Sequence, residues 1–515
     1  MALEINYKHI PWLLTLVGIV LYVPFIGSVN LFDWDEINFA ECAREMIVSS
    51  DFLRVQIDFQ DFHQKPPLFI WMQVLSMKLF GINEFAARFP NALAGIINLL
   101  LLYFIGKEIR NKKFGLIWAF VHGLSFLPFL YFKSGIIDPW FNMFIFGGII
   151  AFLFGVERSN KIWTISSGIL IGLAVLTKGP VGLLIFGGSI FLAIFSKRLW
   201  RSLSWSQILY FLAPFILVGG FWFIMVALNG RAEIIWDFID YQIRLFSTPD
   251  AGHGGPFYYH FIVLLIGCFP SSAYALPKLF ERKQDFVETA IMWSLIFTLL
   301  LFSIVETKII HYSSFCYYAM SFFAASYLSS GERRKWVHIT NLVILVIWIL
   351  LFANIAILGN SLESIDLANL IKDKFALANL QAQVNWGPTD FLPAIALFVA
   401  LLLFIAKRNQ LALWFTTSLA IYSFLVIIVP KIEAFSQRSA IEYFKSIQNE
   451  KADIYPYAYK SYAHLFYSRK QMLDQSEKKH FLVTKIQKEN QLREEFPNAI
   501  LKSSTNGYLL FELAQ

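Results

Sequence analysis

A group of acidic residues near the N-terminus is the first segment whose side chains could do chemistry. Asp33, Asp35 and Glu36 directly follow an apolar run, and apolar residues from Ile37 to Ile47 then recur with helical spacing. Acidic residues at a helix start complement the dipole, and Asp33 with Glu36 has the form of a capping box. This structural reading explains one carboxylate better than three. We therefore interpret Asp35 as a catalytic or ligand-binding carboxylate, with Glu36 beside it.

A lysine follows in the segment Gln64-Lys65-Pro66-Pro67. The two prolines at a first turn, and Gly81 after a last turn, predict a second helix of roughly 14 residues. Lys65 precedes the positive end of that helix, where a cation is a poor dipole partner, so an anion beside it is a reasonable expectation. The alternative is a solvated lysine whose stem lies along apolar surface.

Other polar residues interrupt the later apolar runs. Asp138 stands before Pro139 and could simply cap a helix. Lys178 separates two runs with almost no loop, where a charge is costly unless it is paired, and phosphate is the obvious partner. Carboxylates with several cations suit a reaction on a phosphate-linked lipid, in which the carboxylate activates an acceptor hydroxyl and the cations stabilise the departing phosphate. Further cations and polar groups in these segments are Arg244, His253, Lys308 and Tyr312.

The composition places these residues in a membrane protein. The chain has 515 residues, of which 57% are hydrophobic and 15% charged, with a mean hydropathy of +0.56. Soluble domains are about 45–50% apolar and about 25% charged. The net charge of +7 resides in short loops, where basic residues set topology. It gives no indication of a nucleic-acid partner.

Apolar runs predict about thirteen membrane spans. Basic residues fall in every second loop, which places those loops and the N-terminus in the cytoplasm. An odd number of spans places the C-terminus on the extracytoplasmic side. The predicted spans are 10–30, 89–106, 114–132, 139–156, 162–178, 180–196, 207–228, 258–277, 285–305, 311–329, 337–357, 391–406 and 411–429.

The predicted fold class is an all-α polytopic membrane domain with a small C-terminal α/β domain. The membrane domain covers residues 1–430, and its first extracytoplasmic loop, 31–88, carries two interfacial helices. Residues 431–515 are polar and charged with short apolar runs, and their length allows a modest core. No catalytic motif is evident in that tail. The chemistry is therefore expected in the extracytoplasmic loops of the membrane domain.

Several segments share their residue pattern with a known superfamily. They are Asp35-Glu36 and the residues to 46, Gln64-Lys65-Pro66-Pro67 and the residues to 71, residues 79–90, Leu176–Pro180, and residues 308–312. These segments resemble the bacterial GT-C glycosyltransferases, which include the lipid A aminoarabinose transferase and the protein O-mannosyltransferases. The resemblance covers about the first 330 residues and is most specific in the first loop.

The resemblance implies a sugar donor linked to a polyprenyl phosphate, such as undecaprenyl phosphate, and transfer outside the cytoplasm. The acceptor would be a lipid, such as a lipid A-like molecule, or a protein, and the membrane would be a bacterial inner membrane. By similarity, Asp35 acts as base or acceptor organiser, with Glu36 and Asp138 in the catalytic site. The residues expected to bind the donor phosphate are Lys65, Lys178, Arg244, Lys308 and Tyr312.

The resemblance also implies a divalent metal, which would be zinc, magnesium or manganese. His253 resembles the histidine that binds a metal in the aminoarabinose enzymes, and Gln64 stands where that family has a glutamate. An amide is a weaker, uncharged zinc ligand. Asn38 stands where an arginine is common, which leaves the sugar and the acceptor open.

Two other functions are compatible with a polytopic chain. A transporter or flippase of lipid-linked sugars predicts inverted repeats and broken helices at mid-membrane, whereas the polar residues here lie at the outer rim. A non-catalytic scaffold does not explain the clustered polar residues of the first loop. The sequence therefore favours a membrane glycosyltransferase.

Overall fold

The computed structural model describes residues 7–33, 35–197, 203–247, 254–281, 285–407, 410–448, 450–471 and 479–513. These ranges form a helical bundle followed by a small sheet domain. The helices before residue 280 are α1 (Ile10–Tyr22), α2 (Asp35–Ser49), α3 (Leu68–Phe80), α4 (Glu84–Ile109), α5 (Lys112–Gly123), α6 (Phe126–Tyr131), α7 (Asp138–Glu157), α8 (Lys161–Lys178), α9 (Val181–Lys197), α10 (Trp205–Leu228), α11 (Ala232–Ser247), α12 (Tyr259–Gly267) and α13 (Ser271–Leu279). The later helices are α14 (Phe286–Ile304), α15 (Cys316–Ser330), α16 (Lys335–Ser361), α17 (Leu367–Leu370), α18 (Lys374–Leu380), α19 (Leu392–Lys407), α20 (Gln410–Ser423), α21 (Val429–Ser436), α22 (Arg438–Ser446), α23 (Ala463–Ser468) and α24 (Glu489–Glu495).

The described helices confirm a polytopic membrane protein. Eight of them are long and apolar enough to cross a membrane, or nine if the pair α12 and α13, bent by 118°, forms one span. The other four predicted spans coincide with shorter helices, namely α1, the pair α5 and α6, α9, and α15. For those four segments the count of about thirteen stays a prediction.

The first predicted span, 10–30, is longer than its helix. Helix α1 ends at Tyr22, and Phe25 adopts a φ of 62° in the turn that follows. The ammonium of Lys133 binds the carbonyl oxygens at this end, at 3.3 Å from Tyr22 and 2.7 Å from Pro24. Apolar residues continue beyond the helix, so hydropathy alone overestimates its length.

Close packing of α8 against α10 fixes the position of Lys178 at the end of α8. A Cβ atom added at Gly168 would lie 2.2 Å from the carbonyl oxygen of Phe211, and one at Gly172 would lie 2.8 Å from the backbone nitrogen of Gly219. Small residues allow helices in membranes to approach this closely. A side chain at either glycine would push α8 away from α10.

The two helices predicted in the first loop are present. Helix α3 ends before Gly81, whose φ of 81° suits glycine. Helix α2 begins at Asp35, and two short strands, β1 (Gln56–Ile57) and β2 (Gln60–Asp61), separate it from α3. Every residue of α2 from 36 to 46 is buried. Helix α2 is therefore enclosed by protein. The sequence had predicted a helix at the membrane surface instead.

The C-terminal sheet confirms the predicted small α/β domain. Its strands are β3 (Ala452–Tyr457), β4 (Lys479–Lys485), β5 (Ile500–Thr505) and β6 (Tyr508–Leu513). Strand β3 pairs with β4 in parallel, and β6 pairs antiparallel with both β4 and β5, which gives the order β3-β4-β6-β5. The predicted boundary at 430 falls inside the helical run that ends at Ser436.

Candidate active site

A cavity of about 550 Å³ lies where the first loop, the helix ends and the sheet domain meet. Its lining comes from chain segments that are far apart in sequence. The first loop contributes Asp35 and Lys65, and the end of α8 contributes Lys178. Further lining residues are Tyr241 of α11, His311 and Tyr312 of the turn before α15, and Lys460 and Tyr462 of the sheet domain.

Asp138 and Lys178 form an ion pair in the wall of this cavity. The ammonium of Lys178 lies 2.6 Å from Asp138, and the side chains are 10% and 2% exposed. Ile137 occupies the cap position of α7, so Asp138 is not the helix cap that the alternative reading proposed. Lys178 also lies 5.2 Å from the ring centroid of Tyr312. Its charged partner among the described residues is this carboxylate, and the phosphate contact stays a prediction.

His311 lies between two carboxylates. Its Nε2 atom is 3.6 Å from Oδ2 of Asp35 and 3.9 Å from Oδ2 of Asp138. Oδ2 of Asp138 is buried and has no hydrogen-bond partner among the described residues. The Asp35 side chain is 41% exposed, so its carboxylate is accessible from the cavity. Asp35 can therefore contact a ligand directly, whereas Asp138 is buried in the cavity wall.

Glu36 lies at the cavity but is fully engaged in holding the first loop. It accepts hydrogen bonds from Arg88 at 2.7 and 2.9 Å, from the backbone of Gly135 at 2.6 Å and from that of Phe32 at 3.0 Å. Burial alone would raise the pKa of Glu36, but Arg88 and the backbone donors bring it below its usual value. A carboxylate with four donors is a poor base. This geometry favours a structural role rather than the predicted catalytic one.

Lys65 and Arg244 both lie near the aromatic ring of Tyr241. The Lys65 ammonium is 5.6 Å from the Tyr241 ring centroid, and the Arg244 guanidinium is 5.2 Å from it. Gln242 donates a hydrogen bond of 3.3 Å to the carbonyl of Gln64, which ties this segment to α11. Lys65 lines the cavity, whereas Arg244 is not among its lining residues.

Comparison with known proteins finds a matching family and similar sequences. Residues 64–222 match the family described as dolichyl-phosphate-mannose-protein mannosyltransferase. An undecaprenyl phosphate-alpha-4-amino-4-deoxy-L-arabinose arabinosyl transferase of Edwardsiella ictaluri is 27% identical over 350 residues, 65% of this chain and 63% of that protein. An uncharacterised protein of Aquifex aeolicus is 28% identical over 342 residues, 65% of this chain and 77% of its own.

The fold of the whole chain matches a solved structure. The crystal structure of ArnT from Cupriavidus metallidurans bound to undecaprenyl phosphate superposes with a TM-score of 0.78 at 17% identity, over 99% of this chain and 98% of that one. The chain therefore has the fold of that transferase. Its sequence is similar to the polyprenyl-phosphate-sugar glycosyltransferases, which confirms the resemblance found in its sequence.

The fold does not bring every predicted site residue to the cavity. Lys308 is 6% exposed and its ammonium caps α14, at 2.8 Å from the carbonyl oxygen of Ser303 and 3.2 Å from that of Phe302, with a third contact to Val305. The ammonium of Lys308 thus donates its hydrogen bonds to carbonyl oxygens at the end of a helix. Lys308 therefore stabilises the loop that carries His311, rather than lining the cavity as the predicted phosphate contact would.

One of the two predicted metal ligands, His253, lies outside the described residues, and the other, Gln64, offers an uncharged amide. Among the described residues, no group of three His, Cys, Asp or Glu side chains could hold a metal. Structural and catalytic zinc sites use three or four such ligands, so the described residues alone do not form one. The divalent metal stays a prediction.

Four of the cavity residues named above, Tyr241 among them, were not predicted from sequence. His311 belongs to a segment that resembles a family motif, and its position beside Tyr312 is the signal that could have identified it. Lys460 and Tyr462 line the cavity from a domain in which no motif is evident. Only the packing of that domain against the first loop brings them to the site.

Proposed function

We propose that the protein transfers a sugar from an undecaprenyl-phosphate donor to a lipid or protein acceptor on the extracytoplasmic side of a bacterial inner membrane. The observation that carries this proposal is one cavity that holds an accessible carboxylate, Asp35, together with Lys65 and Lys178. Relatives whose names specify lipid-phosphate sugars support the donor class.

The cations of the cavity bind the donor phosphate. Lys65 faces the cavity directly, and Lys178 lies in the same wall beside Tyr312. Phosphate oxygens accept charge-assisted hydrogen bonds from lysine. These contacts strengthen as the leaving phosphate gains charge, so they favour the transition state. Asp138 holds Lys178 in place through their 2.6 Å contact.

The chemical step is a direct displacement at the anomeric carbon. The acceptor oxygen forms a bond to that carbon while the carbon–oxygen bond to the donor phosphate breaks, and polyprenyl phosphate leaves. When the acceptor is a hydroxyl group, its proton passes to the Asp35 carboxylate. When the acceptor is an ionised phosphate, there is no proton to remove, and Asp35 orients the donor sugar.

The test is turnover by the purified protein in lipid with a panel of undecaprenyl-phosphate sugars. Release of undecaprenyl phosphate is scored with a bacterial membrane extract as the acceptor source. Asp35→Asn is expected to lower the rate by about 100-fold or more, the scale of a lost general base. Asp366→Asn, at an exposed carboxylate, is the matched control. Absence of turnover with every donor would contradict the proposal.

A further inference from the structure

The loop between β3 and α23 projects from the sheet domain into the catalytic cavity. Lys460 and Tyr462 of this loop line the same cavity as Asp33 and Asp35. The cavity is therefore incomplete without the C-terminal domain. Lys65 and Lys178, by contrast, come from the helical domain.

Hydrogen bonds connect the C-terminal domain that carries this loop to the chain beside the cavity. The backbone N–H of Leu31 donates to the hydroxyl of Tyr467 at 2.7 Å. Gln437 accepts from the backbone N–H of Asp33 at 3.3 Å and donates to the carbonyl of Leu31 at 2.9 Å. Both chain segments next to the cavity are thus tied to the sheet domain. The Lys460–Tyr462 loop belongs to the domain that these contacts hold at the cavity.

A second connection holds the domain from the other side of α2. Arg44, which is 1% exposed, donates to the carbonyl of Lys470 at 2.8 Å. The ammonium of Lys470 in turn lies 2.7 Å from Asp58 of the first loop. Contacts on both sides of α2 make the sheet domain part of the site's framework. Its position is not that of a loosely tethered module.

Lys460 and Tyr462 form a compact recognition pair. The ammonium of Lys460 lies 5.6 Å from the ring centroid of Tyr462, a distance at which a cation is attracted to an aromatic face. Lys460 is exposed and Tyr462 is half-buried. A lysine donates to phosphate or carboxylate oxygens, and a tyrosine ring offers a face for an apolar or sugar surface. The pair suits a ligand with an anionic group beside such a surface.

We infer that Lys460 and Tyr462 form the acceptor subsite, which takes an acceptor that carries an anionic group beside an apolar or sugar surface. The inference rests on the proposed function. The donor phosphate has its own cations in the helical domain, Lys65 and Lys178. A third cation of the same cavity, contributed by the sheet domain, serves the second substrate. The C-terminal domain therefore contributes directly to acceptor selection.

The kinetic test varies acceptor and donor separately. The donor identified by the panel is held at saturation while a bacterial lipid extract is titrated as acceptor. Lys460→Gln is expected to raise the half-saturating acceptor concentration at least tenfold and to change the donor KM less than twofold. Lys451→Gln, an exposed lysine of the same domain, should match wild type. An unchanged acceptor dependence, or a shift confined to the donor KM, would overturn the inference.

Two substitutions test whether the aromatic ring of Tyr462 contributes to acceptor binding. Tyr462→Phe keeps the aromatic face and should stay within threefold of wild type in acceptor dependence, whereas Tyr462→Ala should weaken it at least fivefold. Equal effects of the two variants would remove the ring from the subsite. Thermal unfolding of each variant is measured in parallel, because a fall in unfolding temperature would indicate lost docking instead of lost recognition.

A binding measurement separates this inference from the proposed function, because it needs no turnover. Glucosamine 1-phosphate is titrated into the protein with undecaprenyl phosphate already at saturation in the donor subsite. Weaker binding by at least fivefold in Lys460→Gln, with no change in Lys451→Gln, supports the subsite even if no donor is turned over. Equal binding by wild type and Lys460→Gln contradicts it.

Discussion

The ammonium of Lys178 lies 2.6 Å from the carboxylate of Asp138, and both side chains are nearly buried. The pair joins the end of α8 to the start of α7 at the cavity wall. A charge in such surroundings is costly unless it is paired. The contact therefore both stabilises the helix pair and holds a cation beside the space that a donor phosphate would occupy.

Removing one member of this pair should destabilise the protein more than removing both. Asp138→Asn or Lys178→Met leaves an uncompensated buried charge, which costs about 3–5 kcal/mol. The double variant should recover part of that loss. Thermal unfolding in lipid nanodiscs measures the cycle, and strictly additive effects would show that the two groups do not interact. The double variant should still be inactive, because the phosphate contact is absent.

Glu36 should be a folding residue instead of a catalytic one. Glu36→Gln removes the charge and replaces one acceptor oxygen by an amide NH2 group, which is itself a donor and faces the donors of Arg88. We expect a loss of about 3–5 kcal/mol, typical of a broken buried pair. The fraction that folds should retain turnover, unlike Asp35→Asn. Glu108→Gln, which breaks the exposed contact to Arg158, is the control and should change stability by less than about 1 kcal/mol. A stable but inactive Glu36→Gln protein would restore the catalytic interpretation.

Glu45 should make stability depend on pH. Burial, and then the neighbouring charge of Glu41, raise the pKa of Glu45 from 4.5 to about 8. A carboxyl group with a raised pKa binds its proton more tightly in the folded state. Its contribution is complete below pH 4.5 and is lost as the pH rises through about 8. Unfolding temperature should fall across this window.

The matching variant tests the assignment to Glu45. Glu45→Gln stays neutral at every pH. It keeps one acceptor oxygen for the backbone N–H groups of Asp58 and Phe59, which donate to the two oxygens of Glu45 at 2.6 and 2.8 Å. Its unfolding temperature should fall less between pH 5 and pH 9 than that of wild type. Glu233→Gln, at an exposed position, should follow wild type. Parallel pH profiles for wild type and Glu45→Gln would assign the titration to another group.

His311 should position Asp35. With Nε2 3.6 Å from that carboxylate, the imidazole restricts its orientation, so His311→Ala should lower kcat while donor KM changes little. His311→Gln retains a hydrogen-bond donor and should recover part of the rate. A change confined to donor KM would instead place His311 at the donor phosphate. Steady-state kinetics with the donor found by the panel measures both parameters.

Local sequence signals predicted the first-loop helices well. Pro66, Pro67 and Gly81 act on their own neighbours in the chain, so the predicted helix of about 14 residues agrees with α3. The predicted cavity residues Asp35, Lys65 and Lys178 also meet. Each belongs to a motif with a charge at the end of an apolar run, a position where a buried or interfacial charge requires a partner.

Interactions between distant segments explain what the sequence did not reveal. Glu36 is satisfied by Arg88, 52 residues away, and nothing in the local pattern distinguishes it from Asp35. Lys308 was expected at a phosphate, but its ammonium donates to the carbonyl oxygens at the end of α14, which lack partners within the helix. Lys460 reaches the cavity only because a separate domain docks on the first loop. Such partners depend on tertiary packing, which one sequence does not encode in a readable motif.

Binding of undecaprenyl phosphate is the measurement that tests the central claim most directly. Native mass spectrometry of wild type, Lys65→Ala and Lys78→Ala compares a cavity lysine with an exposed lysine of α3. Loss of one charged hydrogen bond costs about 1.5–3 kcal/mol, so Lys65→Ala should bind about 10- to 100-fold more weakly, whereas Lys78→Ala should match wild type. Equal affinity in all three proteins would show that this cavity does not hold the donor phosphate.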